Sequence, residues 1–209
     1  MRSLLQGGKL VGLGVIVVAG LTACNLFPEP APQDIYRLPP SEVVATAAEP
    51  LELSLRIHRP SANELLNTTR IVVVPQGNRL NVYPNVRWSS PAPVLLRDHL
   101  LEAFGNDGRI ARLSSGSERL QAELELGGKL RAFQVEYRAG VPEVVIRLDV
   151  HLVESTDKRI IASRRFAIRE KAKGERIPAV VEAFGHASDV LATELIDWTL
   201  QQLNESRKG

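Results

Sequence analysis

The strictest constraint in the chain is an alternation. Val144, Ile146, Leu148, Val150 and Leu152 recur at every second position, with Asp149 and His151 between them. A period of two sends the first set to one face of a β-strand and the second set to the other. Thr156-Asp157-Lys158 supplies turn chemistry, and residues 159–169 read as the returning strand. Upstream, Ala122, Leu124 and Leu126 alternate; after Gly127-Gly128 the alternation resumes out of phase at Phe133, Val135 and Tyr137. The slip places a bulge at the paired glycines. Pro178 opens a helix running to about Leu203, with Val181, Phe184, Leu191, Leu195 and Trp198 in one apolar stripe. A sheet with one apolar face and a helix with one apolar stripe bury them against each other.

The first half adds smaller elements. Residues 35–38 read as a short strand stopped by Pro39-Pro40, and residues 41–50 as a loop. Leu51 to His58 alternates as a half-buried strand, and residues 70–74 and 79–83 pair as a hairpin around Gln76-Gly77-Asn78. Ser90 is the expected N-cap and Pro91 the first residue of a helix whose apolar face is Leu96, Leu100, Ala103 and Phe104. Gly105-Asn106-Asp107-Gly108 ends it, and residues 109–113 form a brief strand. The expected class is α+β: an antiparallel sheet packed by a helix in the N-terminal half and a long C-terminal helix. One domain over residues 35–209 accommodates it. Aromatics are 5% of the chain, so aliphatic side chains must fill the core.

The N-terminus reads as an address. Arg2 and Lys9 precede an apolar run, Leu10 to Ala19, far shorter than the ~20 residues a spanning helix needs. The run leads into Leu21-Thr22-Ala23-Cys24, the pattern of a bacterial lipobox. A peptidase requires small side chains at the cut, and a thiol must accept the diacylglycerol. Cys24 is the only cysteine, which also excludes an internal disulfide. Residues 1–23 are therefore expected to be removed as a signal peptide, leaving a chain that starts at acylated Cys24 (diacylglyceryl and palmitate). Pro28, Pro30 and Pro32 make residues 24–34 a stiff extended tether, about 30 Å long at ~3.1 Å per residue. Asn25, rather than Asp, follows the cysteine and favours sorting to the periplasmic face of a Gram-negative outer membrane.

Loss of the signal removes two basic residues and leaves equal numbers of basic and acidic side chains. That balance argues against a nucleic-acid partner, which needs a clustered basic field. No catalytic constellation is evident. His58, His99, His151 and His186 stand alone, without metal-ligand spacing, and no nucleophile elbow or phosphate loop occurs. No metal or cofactor is expected. Asp149 and His151 share a strand face and would need a distant serine to act as a hydrolase. Arg164-Arg165 and Lys171-Ala172-Lys173 read as a solvated strand edge. Arg87-Trp88-Ser89-Ser90-Pro91, with Tyr83 nearby, places aromatic surface at a loop–helix junction, either as a staple at the helix start or as a binding patch. Tyr83, Arg87 and Trp88 are the candidate partner-contact residues.

Taken together, the lipobox, Tyr36-Arg37-Leu38, Arg70 to Val74, Asn78 to Tyr83, Arg87 to Pro93, Leu95 to Leu100 and Ala183-Phe184 resemble the ABC-type transport auxiliary lipoprotein family, which includes the PqiC (paraquat-inducible protein C) lipoproteins. The similarity covers residues 35–203. It implies a non-enzymatic, lipid-anchored periplasmic component docking an MCE-domain protein and an ABC permease and ATPase in outer-membrane lipid homeostasis. It also raises a homo-oligomeric ring as an arrangement to test. A structural envelope lipoprotein binding cell wall or lipopolysaccharide-assembly partners is the alternative reading.

Overall fold

The computed structural model describes residues 32–118 and 120–206. The expected signal peptide, Cys24 and most of the tether lie outside the described residues. The elements are β1 (Asp34–Tyr36), β2 (Leu51–Ile57), β3 (Ser61–Ala62), β4 (Arg70–Gln76), β5 (Arg79–Trp88), α1 (Ala92–Asp107), β6 (Ile110–Ser115), β7 (Leu124–Arg138), β8 (Val141–Glu154), β9 (Ile160–Lys171) and α2 (Ile177–Ser206). The α+β class is as expected, with the long C-terminal helix packed on the sheet.

The antiparallel meander β7–β8–β9 is the frame. Leu126↔Leu152, Phe133↔Ile146 and Val135↔Val144 stand opposite one another, and Ile146↔Ile168 and Leu148↔Phe166 continue the same face. This is the face the helices cover. The expected bulge exists but sits at Arg131, where the register shifts between Leu130 and Ala132. Gly127 and Gly128 are regularly paired with His151 and Val150. Glycine is needed at 128 for another reason: a Cβ there would run into the backbone carbonyl of Asp149.

The expectation of a wholly antiparallel sheet is corrected. One edge of β7 pairs with β8, and the other receives three parallel partners in turn. Leu55–Ile57 lie along 124–126, Ser61–Ala62 along 129–130, and Val72–Val74 along 134–136. Residues 51–76 thus follow β7 lengthwise as one interrupted strand, broken at Pro60 and at a turn over 63–69. Beyond it the sheet forks into two arms, one through β6 and one through the hairpin β4–β5 to β1, with β1–β5 and β2–β6 also parallel. Crossovers set parallel pairing, and crossovers leave no local period in the sequence.

The start of α1 also differs. The cap residue is Pro91, with no side-chain cap, and its carbonyl accepts from the N–H groups of Val94 (2.9 Å) and Leu95 (3.1 Å). Pro91 and Pro93 preset the first turn, so Ser90 stays outside it. At the far end Gly108 takes φ 76°, and its N–H bonds the Phe104 carbonyl. In α2 the buried hydroxyls of Ser188 and Thr199 are satisfied by the carbonyls of Phe184 and Leu195, one turn back. The core centres on an aromatic cluster: Phe133 stacks on Phe184 at 4.6 Å and Trp88 meets Phe184 edge-on at 5.1 Å.

Candidate docking groove and strap

Residues 39–46 have no periodicity, yet they are fixed as a strap across both helices. Side chains on both helices hold it. His99, on the apolar face of α1 and 3% exposed, has its Nδ1 3.2 Å from the Pro39 carbonyl and its Nε2 3.0 Å from Asp189 Oδ1 on α2. Both ring nitrogens thus lie within hydrogen-bond distance of oxygen atoms, one on the strap and one on α2. Asp189 also accepts from the Ser41 hydroxyl at 2.8 Å and from the Glu42 backbone N–H at 3.3 Å. Asn106 donates to the Ser41 carbonyl at 3.3 Å. Pro39 packs where Gly185 has no side chain; a Cβ there would stand 2.8 Å from the proline Cγ. Further along, Thr46 bonds Asp107 through both backbone and hydroxyl. Arg109 then ties Asp107 to Asp197 of α2, at 2.8 and 2.7 Å. The two carboxylates hold its guanidinium above its ordinary pKa, the Asp107 bond foremost.

Strap and helix together wall a groove of about 940 Å³. Its lining includes Val43, Ile196 and two exposed aliphatics, Val44 at 79% and Val190 at 43%. Its charged lining is mostly acidic: Glu42, Asp107, Glu170, Asp189, Glu194 and Asp197 stand against Arg109 and Lys173. Exposed aliphatics among carboxylates are suited to an apolar segment flanked by basic residues.

The sequence candidates fall into different places. Trp88 is 1% exposed, inside the aromatic cluster with Phe133 of β7 and Phe184 of α2, so its ring is not offered to a partner. Tyr83 is half-buried, its hydroxyl 3.4 Å from that of Tyr137; burial, reinforced by that neighbour, pushes its pKa above the usual tyrosine value. Arg87 alone of the three is exposed. Sequence reasoning missed His99 and Asp189.

The sheet face turned away from the helices carries an arginine–carboxylate lattice. Asp149 receives Arg165 at 2.6 Å and Arg131 at 2.7 Å, which hold its pKa at about 2. Glu136 receives Arg147 at 2.8 Å and Arg169 at 2.9 Å. Burial raises its pKa, but the bonds from Gln134 and Arg169 outweigh that and leave it lowered. Glu125 is lowered chiefly by Lys158, with His58 assisting. The hydrolase constellation assembles only in part. His151 Nδ1 lies 2.9 Å from Ser163 Oγ, but Asp149 is engaged by two guanidiniums instead of orienting the imidazole. Arg164 lies over the Phe166 ring at 4.7 Å, and Lys171 ends the edge strand β9. Among the described residues no helix is long and apolar enough to cross a membrane.

Comparison with known proteins adds three findings. Residues 36–196 match the family described as the ABC-type transport auxiliary lipoprotein component. The crystal structure of protein XCC0632 from Xanthomonas campestris, of the family DUF330, is similar at TM-score 0.76 and 29% identity, covering 84% of this chain and 99% of that one. An uncharacterized protein of Bradyrhizobium diazoefficiens, bll6063, is 30% identical over 193 residues. That alignment covers 92% of this chain, which spans about half the length of the relative.

Proposed function

Because the chain belongs to the ABC-type transport auxiliary lipoprotein family, we propose that it is the lipid-anchored, non-catalytic docking subunit of an MCE-type lipid transporter, held by acylated Cys24 on the periplasmic face of the outer membrane. The family supplies the accessory role in ABC-type transport. The strap carries the reading further. The chain that follows the tether is bonded at once into the sheet at β1 and then locked over both helices by His99 and Asp189. The strap so held is a fixed part of the domain's surface. Tethering within ~30 Å of a bilayer raises its effective concentration for membrane partners.

The groove is the surface we assign to the partner. Its occupant is a segment of the transporter with apolar residues between basic ones, matching Val44 and Val190 among the acidic residues of the groove. Of the residues read from sequence, Trp88 and Tyr83 support this architecture from within, and Arg87 faces outward on the opposite side of the sheet.

Purification of the full-length protein from detergent-extracted membranes tests the reading. Co-purification of a permease, ATPase or MCE-domain subunit, identified by mass spectrometry, is the expected result. Cell-wall or lipopolysaccharide-assembly components in their place would establish the structural-lipoprotein alternative. The native mass of the same preparation reads whether copies assemble into a ring.

A further inference from the structure

Arginines on and beside the sheet differ in their partners. Arg56, Arg131, Arg147, Arg165 and Arg169 each meet a carboxylate. Arg37, Arg70 and Arg87 are exposed and take part in none of the ion pairs among the described residues. Arg70 and Arg87 stand directly opposite each other in the antiparallel pair β4–β5, a like-charge arrangement that disfavours folding. Ile35, 55% exposed, is the register partner of Arg87 in β1. Because Trp88 points into the core under the helices, Arg87 and Ile35 point the other way. Arg37 follows directly after β1.

The position is the informative part. β1 is the edge strand of its arm, and in sequence it stands at the end of the expected tether, residues 24–34. We infer that Arg37, Arg70, Arg87 and Ile35 form a contact surface for a bilayer carrying anionic lipid headgroups, placed at the root of the tether so that one face of the sheet lies against the membrane. This rests on the lipid-anchor reading. The three guanidiniums meet phosphates, each strengthening association several-fold near an anionic surface. Ile35 enters the headgroup boundary. Within a Debye length of ~8 Å the attraction is strong, and salt removes it. The acidic groove lies beside the helices, on the sheet's other face, and stays free for the partner.

Full-length lipidated protein in two kinds of vesicle tests this, one of phosphatidylcholine and one with a quarter phosphatidylglycerol. Flotation reports the anchor, and hydrogen exchange over residues 33–38 reports the contact. The expected result is flotation with both vesicles and roughly five-fold slower exchange on the anionic ones, abolished by high salt and by Arg37→Gln/Arg70→Gln/Arg87→Gln. Failure to float with either vesicle overturns the anchor and this surface with it. Flotation with both and identical exchange on the two overturns this surface alone. Unchanged circular dichroism of the triple variant shows that any loss of protection is a loss of contact.

Discussion

His99 Nε2 lies 3.0 Å from Asp189 Oδ1, joining two helices across 90 residues of sequence and gripping the strap between them. The pair is polar, largely buried and satisfied on every side, so breaking it leaves donors without acceptors. Asp189→Asn is expected to cost about 1–3 kcal/mol in urea unfolding. Faster hydrogen exchange confined to residues 39–46 is expected alongside. Unchanged exchange there would show that the strap is held by something else.

Gly128 and Gly185 are expected to be intolerant of a side chain for different reasons. A Cβ at 128 meets the Asp149 backbone, so Gly128→Ala is expected to cost about 1–3 kcal/mol and disturb the β7–β8 pairing. A Cβ at 185 meets the Pro39 ring, so Gly185→Val is expected to release the strap with the sheet intact. Amide exchange separates the two: β7–β8 in the first variant, residues 39–46 in the second.

Trp88 and Arg87 are adjacent but have opposite roles. Trp88→Ala removes a ring packed on Phe133 and Phe184 and is expected to cost about 3–5 kcal/mol. Arg87→Ala is expected to change stability by less than ~0.5 kcal/mol. Equal losses in thermal or urea unfolding would contradict the separation of core from surface.

Asp149 is expected to shape the acid limb of stability. Its folded pKa of about 2 lies below the ordinary 3.8, because Arg165 and Arg131 favour the carboxylate. As pH falls, the unfolded chain binds the proton first. The contribution is therefore full above about pH 4 and is lost as pH drops through 2. A carbon-detected NMR titration of Asp149 is expected to show its midpoint near 2. Asp149→Asn is expected to flatten stability between pH 4 and 2, and an ordinary midpoint would contradict the pairing.

The meander and the last helix were legible because each imposes its own period, from Val144 to Leu152 and from Val181 to Trp198. Even the bulge was legible as a phase slip, though its position moved from the glycines to Arg131, since burial alone cannot say which residue is extra. The parallel arms were not legible: Leu55 meeting Leu124 and Val73 meeting Val135 depend on crossovers that leave no local pattern. The groove was hidden for a similar reason. Ser41, His99 and Asp189 are each unremarkable within their own segments, and only the packing of α1 on α2 brings them together. Asp149 and His151 showed the converse: proximity in sequence predicted a shared face and not a shared hydrogen bond.

Site-specific photocross-linking through the groove tests the docking account most directly. A photoreactive phenylalanine at position 190, in the membrane-anchored full-length protein, is expected to capture a permease, ATPase or MCE-domain subunit. The same probe at position 160, on the exposed edge strand β9, is expected to capture none of them. Products at 160 with none at 190, or no transporter subunit at either position, would contradict the groove as the docking surface.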